Sequence, residues 1–117
     1  MTFINREKAP VTQPFPGFQM RALVTKDQGA VSLTVNDVDL EQDGGVAMHI
    51  HPNHEEAILV VEGTPVFVLG DETRTLKPGD VCLAPAGVKH DMFNRSEQKA
   101  KVVTIFPTTD PQRTFVE

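Results

Sequence analysis

The stretch HIHPNHEEAILVVEG, residues 49–63, sets two histidines one residue apart and follows them with two glutamates. In a β-strand alternate side chains share a face, so His49 and His51 project to the same side, about 6 to 7 Å apart along the chain. A short turn then leads to Glu55 and Glu56, at the start of a strand that can return antiparallel beside the first. Two imidazoles and one carboxylate can therefore converge on one ion.

A second stretch, GDVCLAPAGVKHDMFN at residues 79–94, supplies one more histidine. His90 follows a Pro-Ala-Gly turn and lies on a third strand, where it can complete a set of three imidazoles and one carboxylate. Such a set suits Fe(II), Mn, Ni, Cu or Zn and leaves positions open if the metal is octahedral. Taken alone, the histidine pair is also compatible with chance alternation, or with hydrogen-bonded polar groups at a barrel mouth.

The spacing of these residues resembles the two sequence motifs of the cupins. The motifs read His49-x-His51-x4-Glu56-x6-Gly63 and Gly79-x5-Pro85-x-Gly87-x2-His90-x3-Asn94. The second motif matches at every fixed position, and the separation of the two resembles that of small microbial cupins. One departure is Asp43, which stands where the family has its opening glycine; this shifts a turn and leaves the ligands unchanged.

This resemblance implies one divalent transition metal per chain, Fe, Mn, Ni, Zn or Cu, with four protein ligands. The ligands it implies are His49, His51, Glu56 and His90. Both glutamates could supply the carboxylate, but the family's spacing to the glycine selects Glu56, and Glu55 is expected to point into solvent. A barrel that has lost its metal usually lacks a ligand, and none is missing here.

Short runs rich in Val, Ile, Leu, Thr and Phe, bounded by Gly, Pro, Asp and Asn, predict β-strands from residue 18 onward. About nine such strands without crossover helices favour an antiparallel sandwich or barrel. Together with the resemblance, this predicts an all-β fold, a single double-stranded β-helix (jelly-roll) cupin barrel over residues 18–107. The candidate strands are 18–25, 31–38, 46–51, 57–62, 65–69, 73–76, 81–84, 90–94 and 101–106.

The two ends of the chain are predicted to be arms. Residues 1–17 hold three prolines within seven positions, too many for a continuous helix or a central strand. Residues 108–117 form the C-terminal arm. Apolar residues in both arms lie outside the main barrel, and because such arms often find burial on a neighbouring subunit, we expect a homodimer.

Length, charge and composition exclude several classes of function. The 117 residues fit one domain, and Cys82, the single cysteine, cannot form an intrachain disulfide. The sequence shows no signal-peptide pattern and no apolar run near the roughly 20 residues that span a bilayer, so we expect a cytoplasmic protein without membrane association. A net charge of -5, with scattered Lys and Arg, disfavours nucleic acid as a partner.

The residues beside the ligands predict a mostly apolar pocket. By strand alternation Ile58 and Val60 share the face of Glu56, Ala47 shares that of the two histidines, and Met92 and Asn94 share that of His90. Such a wall favours a small, largely apolar or planar ligand. We interpret Asn94 as a hydrogen-bonding residue at a turn or strand end.

Four other polar residues are weighed and left out of the site. His54 is either an extra pocket group or a turn histidine facing solvent, and we favour the second. Cys82 lies between apolar neighbours without a cation, so we expect a small buried hydrophobe. Gln19 and Arg21 could reach a barrel mouth to hold a substrate carboxylate, but surface placement is favoured.

These features favour a metal-dependent enzyme acting on a small organic substrate, with Glu56 doubling as a catalytic base if it is displaced from the metal. Among the chemistries of the family we favour a dioxygenase-type oxidoreductase, because three histidines, a glutamate and an apolar pocket suit oxygen chemistry on Fe or Mn. One alternative is a non-catalytic module that binds or senses a small ligand. Another is an isomerase, lyase or cyclase acting on a sugar-acid or polyketide-like substrate.

Overall fold

Residues 2–116, described by a computed structural model, fold into eleven strands with two short 3-10 turns at Arg6–Lys8 and Lys26–Gln28. Every pair of neighbouring strands is antiparallel. The strands are β1 (Val11–Phe15), β2 (Phe18–Val24), β3 (Thr34–Leu40), β4 (Gly45–Ile50), β5 (Glu56–Glu62), β6 (Val66–Leu69), β7 (Glu72–Thr75), β8 (Val81–Ala84), β9 (His90–Phe93), β10 (Ala100–Phe106) and β11 (Thr114–Phe115).

The strands form two sheets, one in the order β1-β2-β3-β10-β5-β8 and the other in the order β11-β4-β9-β6-β7. A single apolar core draws side chains from both sheets, among them Leu40 and Val102 from the first and Phe67 and Met92 from the second. The predicted all-β jelly-roll barrel is confirmed.

Along β3 and β5 the inward-facing side chains change from polar at one end to apolar at the other. On β3 the inward row begins with Thr34 and Asn36 and ends with Val38 and Leu40. On β5 the inward row likewise begins with Glu56 and continues to Ile58 and Val60. The core therefore fills one end of the barrel, and a cavity lined by polar and apolar groups occupies the other.

Strand β3 differs most from its prediction. It begins at Thr34 instead of residue 31, and Val31, which lies outside the strand, is 91% exposed and therefore not part of the core. It runs on to Leu40, which is completely buried and pairs with both Ala100 and Phe18. Asp37 in this strand lies on the outer face, beside Arg6 and Lys101.

The two predicted arms pack on their own barrel. Residues Val11–Phe15 form β1, an edge strand paired with β2, and the position of Pro14 beside an irregularity in register shows how proline is tolerated there. At the other end, residues 111–116, which we call the C-terminal strap, contribute β11 to the second sheet beside β4. The sequence predicts that apolar residues of both arms lie outside the main barrel; these two segments instead pair with its sheets, whereas Phe3 is 96% exposed.

Candidate metal centre and its cavity

Four buried side chains converge between the two sheets. Their ligand atoms all lie within 4.8 Å of one another, and the residues that provide them are His49, His51, Glu56 and His90. His49 lies on β4, and His51 follows directly after the last residue of that strand. Glu56 is the first residue of β5, and His90 is the first residue of β9. The arrangement predicted from the two motifs is therefore present, and this cluster could hold one metal ion.

A bulge in β4 aims the first histidine. Val46 pairs with Met92 and His49 pairs with His90, so two residues of β4 stand opposite one residue of β9. The extra residue reverses the alternation, which places Val46 in the cavity wall and leaves Ala47 exposed. The prediction that Ala47 faces the site is therefore wrong, because strand alternation alone does not reveal a bulge.

Each histidine is oriented by a backbone carbonyl. The Nδ1 atoms of His49, His51 and His90 lie 2.7, 2.6 and 3.0 Å from the carbonyl oxygens of Ala47, Gln112 and Val88. A carbonyl can only accept a hydrogen bond, so each Nδ1 carries a proton and donates it. The three Nε2 atoms are therefore the ones available to a metal, as is usual when an outer partner fixes the tautomer.

Glu56 lies between two of these rings. Its Oε1 atom is 3.0 Å from Nε2 of His51 and 3.0 Å from Nε2 of His90. The carboxylate oxygen can accept a hydrogen bond from an Nε2 atom that carries a proton. At a metal centre the ion would take the place of such a proton, and Glu56 would be a ligand beside the two rings.

Burial and pairing move the pKa values of the cluster in opposite directions. Burial lowers the pKa of His49 to about 4, with a smaller contribution from the charges of His90 and Arg113. Burial would raise the pKa of Glu56, but hydrogen bonds from His51 and His90 outweigh it and hold that pKa at about 2. Burial also opposes protonation of His90, yet its hydrogen bond to Glu56 raises the pKa of the ring.

The donor set fits a transition metal. In an octahedron with metal-ligand bonds of about 2.1 Å, adjacent donors lie about 3.0 Å apart. That is the distance from Glu56 Oε1 to the two Nε2 atoms. The imidazole nitrogens are borderline donors, and the carboxylate oxygen is a hard donor. This mixture suits Fe, Mn, Ni, Zn or Cu better than Ca or Mg.

Three residues of the cluster, His49, Glu56 and His90, line a cavity of about 320 Å³. Its apolar lining includes Phe15, Phe18, Met20, Ile58 and Phe106. The prediction of a mostly apolar pocket is incomplete, however, because segments distant in sequence add further polar groups to this lining. They are Thr34 and Asn36 on β3, Thr104 on β10 and Arg113 on the C-terminal strap.

Sequence reasoning missed Arg113 and misjudged His54. Arg113 lines the cavity from a proline-containing tail that shows no motif, so nothing local in the sequence signals its role. His54 was favoured as a turn residue facing solvent, and that interpretation is wrong. It is buried, and its Nε2 accepts the backbone N–H of Gln112 at 3.0 Å, a partner 58 positions away.

Val60, expected in the pocket wall, lies instead in the apolar core and does not line the cavity. Four other expectations for side chains near the site are confirmed. Glu55 is exposed. Asn94 donates to the carbonyls of Leu40 and Gln98 and accepts from the Ser96 N–H, so it joins a turn to the core. Arg21 donates to the carbonyls of Arg6 and Ala9 outside the cavity. Cys82 is buried, and burial raises the pKa of its thiol to about 11.

Comparison with known proteins identifies the domain. The sequence profile of the family described as "Cupin domain" matches residues 29–106. Auxin-binding protein ABP19b of Prunus persica is 33% identical over 92 residues, 74% of this chain and 44% of its own length. Germin-like protein subfamily 3 member 1 of Arabidopsis thaliana is 33% identical over 69% of this chain and 41% of its own length. The chain thus spans less than half the length of these two relatives.

Solved structures share the fold at lower identity. The polyketide cyclase RemF of Streptomyces resistomycificus has a TM-score of 0.86 at 21% identity, over 100% of this chain and 86% of that one. Oxalate oxidase in complex with glycolate has a TM-score of 0.79 at 24% identity, over 97% of this chain and 62% of that one. Within residues 2–116 we find no helix of the length and apolar character needed to cross a membrane.

Proposed function

Because the chain belongs to the cupin domain family, we propose that it is a metal-dependent enzyme acting on a small organic substrate. The observation that carries this proposal is the buried cluster of three histidines and one glutamate, three of whose members line a cavity large enough for a small molecule. We propose that these four residues hold one divalent transition metal per chain. The ion would supply a Lewis acid and open coordination positions for the substrate.

The protein's own groups would bind, orient and shield the substrate. Aromatic and aliphatic side chains around the cavity exclude water from one side, and the cluster faces the substrate from the other. Glu56 is a good ligand, since a pKa of about 2 keeps it ionised, but the same low pKa makes it a poor base. It could act as the catalytic base only after its bonds to the imidazoles are broken.

Among reaction types we favour a dioxygenase-type oxidoreductase. Three imidazoles and a carboxylate suit Fe or Mn, and the apolar wall suits a planar, easily oxidised substrate such as an enolised diketone or a catechol. An oxidase is among the structural neighbours, which supports the compatibility of this barrel with oxidation. The fold itself does not select the chemistry, because the same barrel carries many reactions.

The test begins with elemental analysis of protein purified without added metal. Anaerobic loading with Fe(II) or Mn(II) follows, and oxygen uptake is then measured with 1,3-diketones and catechols. We expect about one ion per chain and oxygen uptake that depends on both metal and substrate. Protein that takes up no transition metal would rule out the proposal, and a loaded protein inactive towards every substrate would rule out the dioxygenase assignment.

An isomerase, lyase or cyclase is a second candidate, and one observation favours it. Such enzymes need polar groups to hold hydroxyls or carbonyls, and Thr34, Asn36 and Thr104 line the cavity. The structural neighbour named a polyketide cyclase is consistent with this reading. Conversion of a polyketide-like or sugar-acid substrate without oxygen uptake would identify this class.

A non-catalytic binding module is the third candidate, and the name of the auxin-binding relative favours it. This alternative predicts tight binding of a small ligand with no turnover by the metal-loaded protein. Calorimetric titration followed by analysis of the recovered ligand separates it from the two enzymatic candidates.

The homodimer also remains a proposal. The outer face of β8, an edge strand, presents Val81 and Leu83, each more than half exposed, and Val61 on β5 is nearly as open. This apolar surface is a better site for a second copy than the arms, because β1 and the C-terminal strap are already packed on their own barrel. Light scattering of the wild-type protein and of Leu83→Lys tests it, and we expect a dimer that the substitution converts to a monomer.

The cytoplasmic location and the absence of nucleic-acid partners stay predictions from the sequence.

A further inference from the structure

Arg113 is the cation that the C-terminal strap adds to the cavity wall. Its guanidinium carbon lies 5.3 Å from the centroid of the Phe15 ring. Arg113 lines the same cavity as His49, Glu56 and His90 of the cluster. The negative charge of Glu56 acts to raise the pKa of its guanidinium. An arginine in this position is a candidate for binding a ligand.

No carboxylate among residues 2–116 pairs with Arg113 within 4.0 Å. Burial lowers the pKa of the guanidinium, although Glu56 opposes this effect. Glu56 itself is already bound to two imidazoles. Arg113 is an exposed residue, so its side chain at the cavity wall is open to a ligand that enters. Because no carboxylate among residues 2–116 pairs with it, an incoming anion would meet no competing partner from this part of the chain.

The charges around the cavity favour an anionic ligand. Among residues 2–116 its ionisable lining consists of His49, Glu56, His90 and Arg113, and Glu56 is the one acid of that set. A divalent ion bound at the cluster would outweigh the charge of Glu56 and leave a net positive charge, to which Arg113 adds another. A cavity with one sign of charge and low-polarity walls concentrates ligands of the opposite sign.

The backbone holds Arg113 in place from both sides. On one side the N–H of Gln112 donates a hydrogen bond to Nε2 of His54, and the carbonyl oxygen of Gln112 accepts a hydrogen bond from Nδ1 of His51. On the other side Phe115 pairs with His49 in the sheet, and the Val116 N–H donates to the carbonyl of Met48. The guanidinium is therefore presented by a fixed segment, as a binding residue requires.

We propose that Arg113 binds the carboxylate of a small substrate whose apolar body lies against the aromatic wall of the cavity. This inference rests on the proposed function, because it names the substrate class of the same site. Guanidinium suits a carboxylate through paired N–H donors, and Phe15, Phe18 and Phe106 offer surface to a ring or a branched chain.

The test compares phenylacetate with phenylacetamide, a neutral molecule of nearly the same shape, by calorimetric titration at pH 7.5. Wild-type protein should bind the acid at least about 10-fold more tightly than the amide. In Arg113→Met the dissociation constant of the acid should rise about 10- to 100-fold, the range for a charge-assisted hydrogen-bonded pair, with that of the amide unchanged. Arg113→Lys should recover part of the loss.

Arg95 provides a matched control. Its guanidinium carbon lies 4.4 Å from the centroid of Phe93, but the residue does not line the cavity. Arg95→Met should bind the acid as the wild type does. Equal binding of the acid by Arg113→Met and wild type, failure of the wild type to prefer the acid, or no measurable binding of the acid would overturn the proposal.

Metal content, measured on the same samples, separates this inference from the proposed function. Arg113→Met should keep the metal content of the wild type, since Arg113 is outside the cluster. The titrations are repeated on protein stripped with a chelator, where the preference for the acid should persist in weakened form. If the wild type as purified holds no transition metal and takes none up, yet still prefers the acid through Arg113, the metal-enzyme proposal fails and the carboxylate site stands.

Discussion

His54 accepts the backbone N–H of Gln112 on its Nε2 atom at 3.0 Å. The carbonyl of the same Gln112 lies 2.6 Å from Nδ1 of His51, and the rings of His51 and His54 stack with centroids 4.8 Å apart. One residue of the C-terminal strap is thus tied both to a histidine of the metal cluster and to that histidine's neighbour. The tail of the chain takes part in building the site.

Replacing His54 with Leu should loosen the strap, because the N–H of Gln112 loses a partly buried hydrogen bond. We expect the free energy of unfolding to fall by about 1 kcal/mol, the net contribution of a typical hydrogen bond. Hydrogen exchange of the Gln112 amide should accelerate at the same time. His54→Gln, which keeps an acceptor on a side chain of similar length, is the control, and equal exchange rates in the two variants would contradict this role of His54.

Replacing His51 with Ala removes a ring that contacts both Glu56 and the strap. We expect metal affinity to fall by more than the roughly 10- to 100-fold that loss of an outer partner costs, because a ligand itself is lost. Elemental analysis after dialysis against dilute metal measures this loss.

Glu55→Gln is the matched control for this experiment. It removes a carboxylate one position from Glu56 but outside the cluster, and Glu55 is exposed. Its occupancy should equal that of the wild type. Occupancy near one ion per chain in His51→Ala would show that the ligand assignment is wrong.

The four cluster residues could be predicted because short-range spacing carries most of their geometry. His49 and His51 share a face by strand alternation, and motif spacing distinguishes Glu56 from Glu55. The same local reasoning identified nine of the strands within a few residues. Where the side chains of one strand alternate regularly, sequence and structure agree.

The features that could not be predicted depend on contacts between distant segments. The bulge that exposes Ala47 is visible only in the pairing of β4 with β9. The burial of His54 requires Gln112, and Arg113 reaches the cavity because the strap pairs with β4. A single sequence contains no local signal for such pairings.

Acid should destabilise the metal-free protein through His49. In the folded state the pKa of this ring is lowered from 6.5 to about 4, so it stays neutral where the unfolded chain is protonated. The free energy of unfolding should therefore fall by roughly 3 kcal/mol as the pH drops from 6.5 to 4. His90 acts in a different window, since its raised pKa gives stability that is present below 6.5 and lost at higher pH.

Urea denaturation of chelator-treated protein at a series of pH values measures this effect. His49→Gln has the same bulk without a titrating ring, so its stability should depend less on pH between 6.5 and 4. If wild type and variant lose stability in parallel over that range, His49 is not the group responsible.

A side chain at position 45 should disrupt the strand pair that positions the first histidine. A Cβ added to Gly45 would overlap the carbonyl oxygen of Met92 and lie 2.8 Å from Cα of Phe93, so the backbones of β4 and β9 would have to separate. We expect Gly45→Ala to lower the free energy of unfolding by at least about 3 kcal/mol, a large value for one methyl group.

Gly79→Ala is the control, because φ there is 94° but no atom lies within 4 Å of the added Cβ, so only backbone strain of roughly 1 to 2 kcal/mol applies. Since the contact with Met92 lies next to the bulge that turns His49 inward, Gly45→Ala should also weaken metal binding, whereas Gly79→Ala should not. Equal costs for the two substitutions in urea denaturation would mean that β4 and β9 do not approach as closely as the pairing of Gly45 with Phe93 requires.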